Sequence, residues 1–181
     1  MMEDGVMNAE MALQAAESLL APWARHMTKP EPYRLDVVVA ISDLLRAVRA
    51  LADARWGYLS AITGLDHPSV PAELSEEQQR QQKETTGVEF TAGEIEVLYH
   101  FCAGASVVTL RVRVPRDTAS VPSVCAIIPS ASFFERELSE MLGVTVVGTP
   151  DPSHLFLPDD WPDGVYPLRK DFMVQGMTAS G

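Results

Sequence analysis

The chain has 181 residues, enough for one domain with a sizeable core plus extensions. With 46% hydrophobic and 22% charged residues it has the composition of a soluble globular protein. Its net charge of −11 argues against nucleic acid, which requires clustered Lys and Arg, and against direct adsorption to an anionic membrane.

Residues 8–25 are expected to form a helix, because Leu13, Ala16, Leu20 and Trp23 fall on one stripe. Pro30 and Pro32 end any helical run. In YRLDVVVAI, residues 33–41, the alternation of Leu35, Val37, Val39 and Ile41 predicts a strand. Ser42 is placed to cap the helix that follows, whose stripe is Leu44, Leu45, Val48, Leu51 and Ala52. Gly57 stands where a helix C-terminus favours a left-handed residue. YLSAIT then reads as a second strand, so strand, helix and strand suggest a crossover unit with helices on one face of a sheet.

Residues 68–93 are polar, glutamine-rich and charged, with at most a short helix over 73–83, and are expected to be a mobile surface insertion. Two alternating strands follow, one carrying Ile95, Val97, Tyr99 and Phe101 and the other Val108, Leu110, Val112 and Val114. The short CAGAS connection predicts an antiparallel hairpin. Arg111 and Arg113 share the face opposite the valines, as a solvated face or as an ion-pairing surface. A short helical piece is expected around VPSVCAII, and then a helix with Ser132 and Glu135 as a capping box. Its stripe is Phe134, Leu138, Met141 and Leu142, and Gly143 ends it. Arg136 and Glu140 are spaced for an i,i+4 pair.

Cofactor chemistry finds little purchase. No glycine-rich dinucleotide or phosphate loop is present. Cys102 and Cys125 are too few for a four-cysteine iron–sulfur cluster and are expected to be reduced and buried. His26, His67, His100 and His154 show no metal-ligand spacing. Asp159, Asp160, Asp163 and Gly164 resemble a calcium loop only superficially, since Trp161 stands at a ligand position. No catalytic, cofactor-binding or metal residue is assigned. The competing reading is a stand-alone small-molecule enzyme using Glu135, His154, Asp159 or Asp160.

The last third poses a different problem. Prolines 150, 152, 158, 162 and 167 keep it out of helices and central strands, yet it carries Leu155, Phe156, Leu157, Trp161, Tyr166, Leu168 and Phe172. Left wet together, these side chains exceed what a soluble surface tolerates. Part of this arm is expected to fold back on the domain and the rest to lie on another subunit.

The arm and the helix before it carry a recognisable wording. FERELSEMLGV, GTPD, LFLPDDW and YPLRKDF resemble the signature of the thirty-kilodalton subunit of respiratory complex I, also called the C subunit of NADH:quinone oxidoreductase. The same family supplies the small hydrophilic subunit of membrane-bound, energy-converting nickel–iron hydrogenases. Glu135, Arg136, Glu137, Gly143, Gly148, Pro150, Asp151, Asp160, Trp161, Pro167, Leu168, Arg169, Lys170 and Asp171 match the family pattern. The resemblance spans about residues 33–173. Glu140 departs from a usual Asp, Leu142 from an aromatic and Thr149 from a His, and Pro152-Ser153-His154 replaces an arginine-rich run. The wording DDWPDGVYPLRKDF and the short C-terminus look closer to the hydrogenase branch.

The resemblance implies a non-catalytic subunit of a complex I-like oxidoreductase. Its partners would be a large quinone-site or nickel–iron subunit, a small iron–sulfur subunit and a ferredoxin-like iron–sulfur subunit. Iron–sulfur clusters, and either nickel–iron or FMN and quinone, would sit in those partners and none in this chain. The interface would comprise Glu135, Arg136, Glu137, Asp151, Asp160, Trp161, Tyr166, Pro167, Leu168, Arg169, Lys170, Asp171 and Phe172. The acids of MMEDGVMNAEM stand where a secretory signal carries Lys or Arg, and no apolar run approaches the ~20 residues of a membrane span. The expected place is therefore the cytoplasmic face of the membrane, held by partners without insertion.

The expected fold class is α+β. A mixed or antiparallel four-stranded sheet would have helices packed on one face, an N-terminal helix and an extended proline-rich C-terminal arm. Residues 1–32 would be the helix and linker, 33–143 the core and 144–181 the docking arm.

Overall fold

The computed structural model describes residues 2–68 and 93–172. Most of the segment predicted as an insertion over 68–93 therefore lies outside the described residues, as does the end of the arm.

The α+β class holds, with five strands in the main sheet where four were expected. Helix α1, Met2–Leu20, is followed by β1, Ala24–Thr28. Then come β2, Arg34–Val39, helix α2, Leu44–Asp53, and β3, Tyr58–His67. The hairpin strands are β4, Glu94–Ala103, and β5, Ser106–Pro115. The sheet order is β1-β2-β5-β4-β3, with β2 and β5 parallel and the other pairs antiparallel. Strands β2 and β3 thus run the same way, joined through α2 as the crossover predicts, and the β4–β5 hairpin fills the gap between them.

The helix predicted over 8–25 stops at Leu20, and the chain turns into edge strand β1. ARHMT has no apolar alternation, so β1 is held mainly by backbone pairing to β2, with only Ala24 and Met27 half-buried against the core.

The inward face is apolar because the side-chain period of a strand is two. Leu35, Val37 and Val39 of β2 join Val108, Leu110, Val112 and Val114 of β5 and Ile95, Val97, Tyr99 and Phe101 of β4, all at most 3% exposed. Helix α1 covers β2 and β5, and its Leu13, Ala16 and Leu20 are buried. Helix α2 buries Leu44, Ala47, Val48 and Leu51. Leu45, expected inside, is exposed, and Ala47 takes the inward position. Ile41 also leaves the predicted strand for a short 3-10 turn, Ile41–Asp43, and the helix starts without a Ser42 cap. At the other end Arg55, at φ 52°, is the first left-handed residue after α2, and Trp56 N–H reaches back to Leu51 O at 2.9 Å. Gly57 is left-handed too, two residues beyond Arg55, which takes the position the cap requires.

A second unit carries the future arm. Strands β6, Ser120–Pro122, and β7, Thr145–Val147, pair in parallel around helix α3, Ser132–Leu142. The helical piece expected at VPSVCAII is instead β6 followed by turns, because β7 supplies its partner and Ser123 N–H donates to Val147 O. A 3-10 turn, Pro129–Ala131, runs straight into α3, so Ser132 is already helical and makes no cap. Helix α3 packs on β3, where Leu138 and Leu142 press on Gly64. A Cβ on Gly64 would sit 2.2 Å from Leu142 Cδ1, so the helix could not come this close over any larger residue.

Candidate subunit interface

Three buried carboxylates organise α3 and the arm. Glu135, 2% exposed, turns inward. It accepts the Ser123 hydroxyl at 2.8 and 3.1 Å, the Val124 N–H at 2.7 Å and the Cys125 thiol at 3.2 Å. It thereby ties α3 to the loop after β6. Burial, and then the Glu135 carboxylate, push the Cys125 thiol up. Both cysteines are free and half-buried, less covered than expected.

Glu140, 6% exposed, accepts three successive arm amides. Leu155 N–H donates at 2.9 Å, Phe156 N–H at 3.0 and 3.3 Å, and Leu157 N–H at 3.3 Å. Arg136 also faces the arm, donating to Ser153 O at 2.9 Å and to His154 O and pairing with Asp151 at 3.3 Å. The expected Arg136–Glu140 pair is thus replaced by two separate clasps on the arm. Each group finds a partner that is fixed in place, whereas an exposed i,i+4 pair gains only a few tenths of a kcal/mol.

Asp66, 5% exposed near the end of β3, is the third. Arg116 grips it bidentately at 2.7 and 3.0 Å, and the Lys170 amide donates to it at 2.8 Å. Burial alone would raise this carboxyl, but the Arg116 fork and the Lys170 amide outweigh it and hold it below the usual range. Arg116 also pairs with Asp171 at 2.8 Å.

The rest of the arm folds back through backbone and ring contacts. Leu168 N–H donates to Met141 O at 3.0 Å, and Arg169 Nε to Leu142 O at 2.8 Å. The Arg169 guanidinium lies 4.6 Å from the Tyr166 ring centroid. Tyr166 lies on Gly143, the left-handed C-cap of α3. Trp161 donates its indole N–H to Val165 O at 2.8 Å, and its ring sits 6.4 Å from that of Phe172. Leu155, Leu157, Trp161, Tyr166, Pro167 and Phe172 are half-buried. Phe156 and Leu168 are 65% and 60% exposed, and Asp160, Lys170 and Asp171 are also exposed. Glu137 is half-buried on the same helix.

Between α3 and the arm lies a cleft of about 210 Å³, lined among others by Arg136, Glu140, Thr145, His154 and Trp161. His154 reaches it, but Glu135 is turned into the core, and Asp159 and Asp160 are exposed outside the lining. The four groups of the stand-alone enzyme reading therefore do not converge. Among the described residues no three His, Cys, Asp or Glu side chains cluster as a metal site would require, and no helix is long and apolar enough to cross a membrane.

Sequence reasoning assigned Glu135, Arg136, Asp151 and the 160–172 segment to the site, and the structure brings most of them onto one arm-and-helix unit. It missed Asp66, Arg116 and Glu140. Asp66 had a usable signal, since it continues the inward alternation Ile62, Gly64, Asp66 on β3 and is an acid on an apolar face.

The fold has a counterpart in a solved membrane complex. A chain of the membrane-bound sulfane sulfur reductase, an archaeal respiratory membrane complex, superposes with a TM-score of 0.59 at 24% identity. The match covers 90% of this chain and 85% of that one. Residues 37–178 match the family described as respiratory-chain NADH dehydrogenase, 30 Kd subunit, and the chain belongs to that family. The C subunit of the NADH-quinone oxidoreductase of Moorella thermoacetica is 33% identical over 142 residues, covering 77% of this chain and 80% of that protein. Formate hydrogenlyase subunit 5 of Escherichia coli is 50% identical over 66 residues, 36% of this chain. That match spans only 12% of the Escherichia coli protein.

Proposed function

We propose that this chain is a non-catalytic subunit in the peripheral arm of a complex I-like membrane-bound oxidoreductase. It docks on the large subunit that holds the quinone or nickel–iron site and lies at the cytoplasmic face of the membrane. Iron–sulfur clusters, and either nickel–iron or flavin and quinone, belong to the partner subunits, including a small iron–sulfur subunit and a ferredoxin-like one. The observation that carries this reading is the arm, which is clasped to the core by Glu140 and Asp66 yet leaves Phe156 and Leu168 in solvent. Exposed apolar side chains on an ordered segment are what a protein interface uses as anchors.

The particular complex is proposed to be an energy-converting hydrogenase. The higher identity to formate hydrogenlyase subunit 5 and the DDWPDGVYPLRKDF wording favour it. The longer alignment with the Moorella thermoacetica protein supports the alternative, an NADH:quinone oxidoreductase. Purifying the assembly from solubilised membranes through a tag on this chain tests both levels. Nickel in the assembly with no flavin supports the hydrogenase reading, and flavin with NADH oxidation supports the alternative. A chain recovered alone, with no large subunit, refutes the docking role.

A further inference from the structure

We propose that Glu140 and Asp66 build the docking surface before any partner arrives. They fix the arm backbone in a conformation that leaves Phe156 and Leu168 exposed as anchors for an apolar, cation-rimmed surface of the partner protein. The inference rests on the docking role proposed above.

Glu140 is the key group. It lies in the last turn of α3, where the helix dipole disfavours a carboxylate, and it is almost fully buried. The groups on it are three consecutive arm amides, at Leu155, Phe156 and Leu157. Three converging N–H donors need a group that only accepts, which a carboxylate is and a carboxamide is not. Asp66 performs the same task at the far end of the arm, taking the Lys170 amide while Arg116 holds it in place.

The two anchors sit on the backbone that these contacts pin. The Phe156 N–H is bound by Glu140 and the Leu168 N–H by Met141 O, yet both side chains remain mostly in water. A backbone ordered in advance removes a large part of the entropy cost of binding. The fringe of these anchors sets the charge of the partner. Among the described residues of the arm, Asp159, Asp160 and Asp163 are exposed, as is Asp171 while it pairs with Arg116, against a single exposed Lys or Arg, Lys170. The Arg169 guanidinium is turned inward to Leu142 O and Tyr166. The complementary surface is therefore apolar at its centre and rimmed by Lys or Arg.

Hydrogen exchange on the free full chain, together with capture of the large subunit from solubilised membranes, tests this. In the wild-type chain the amides of Leu155, Phe156, Leu157 and Lys170 should exchange slowly. Glu140→Gln should speed the first three by at least about tenfold and lower capture. Glu140→Asp keeps an acceptor-only group and should restore both in part. Phe156→Ala with Leu168→Ala should lower capture and leave the exchange unchanged. Fast arm exchange in the wild-type chain overturns the inference and spares the docking role, and so does full capture by Glu140→Gln despite a loosened arm. If Glu140→Gln also exposes core amides such as Leu110 and Val112, the double alanine variant decides, and undiminished capture by it overturns the inference. A wild-type chain that captures no large subunit defeats the docking role and the inference together.

Discussion

Arg116 and Asp66 are fifty residues apart in sequence and joined by a two-pronged pair at 2.7 and 3.0 Å, with the Lys170 amide closing the third side at 2.8 Å. This contact links the sheet to the end of the arm. Its loss leaves the half-buried Arg116 guanidinium with Asp171 as its remaining carboxylate and weakens the acceptor for the Lys170 amide, so Asp66→Asn should cost about 2 kcal/mol. The pH dependence follows from the depressed Asp66 carboxyl. A depressed folded value means that the stabilisation is present above the ordinary aspartate value and is lost as pH falls through the folded one. The Lys170 amide should therefore keep its protection at neutral pH and lose it only below about pH 4. Loss of protection near neutrality would contradict the assignment.

Gly143 ends α3 at φ 68°, and a Cβ there would lie 2.4 Å from the Tyr166 ring. Gly143→Ala meets two penalties at once, the left-handed backbone and the ring. We expect a loss of about 2 kcal/mol in denaturant unfolding. Displacement of Tyr166 should also open the arm to protease cleavage after Arg169 or Lys170. An alanine variant with wild-type stability and an uncut arm would show that the ring does not rest on the glycine.

The hydrophobic architecture was legible because it is periodic. Alternation marked β2, β4 and β5, and the stripe with Leu138 and Leu142 marked α3. Strands β1 and β6 were not legible, since ARHMT and SVP carry no pattern and exist through partners distant in sequence. The charged face of α3 misled for a similar reason. Glu140 has its donors fifteen to seventeen residues downstream, on backbone amides that no side-chain pattern announces. Even so, Glu135 falls three and seven residues before Leu138 and Leu142, on the apolar stripe, and this spacing is a sign of a buried acid.

Glu135 has a chemical readout in Cys125. The thiol donates to the carboxylate at 3.2 Å and is pushed up by burial and by that charge. Thiolate, not thiol, is the reacting form, so Cys125 should alkylate slowly at pH 8. Glu135→Gln removes the negative charge and should speed labelling at Cys125. The same change keeps an oxygen for the Val124 N–H but sets an NH2 where the Ser123 hydroxyl and Cys125 thiol donate, and should cost about 1 kcal/mol. Labelling that stays slow in a folded Glu135→Gln chain would assign the protection to burial alone.

On the outward sheet face Arg111 binds two carboxylates at once. It meets Glu96 through Nε at 2.9 Å and Nη2 at 2.8 Å, and Asp36 through Nη1 at 3.0 Å. Glu96 is 1% exposed and its carboxyl is held low, because the Arg111 fork outweighs the cost of burial. The ion-pairing reading of this face is thus realised within the sheet, where Arg111 joins β5 to β4 on one side and β2 on the other. A lysine keeps the charge but has no planar fork, so it cannot serve both carboxylates along these directions. Arg111→Lys should cost about 1–2 kcal/mol and Arg111→Met about 3 kcal/mol or more, because methionine leaves Glu96 buried without its main cation. Raising the salt concentration should change the wild-type midpoint little, since a covered pair is weakly screened. Equal stability of the lysine, methionine and wild-type chains would show that the two carboxylates are satisfied without Arg111.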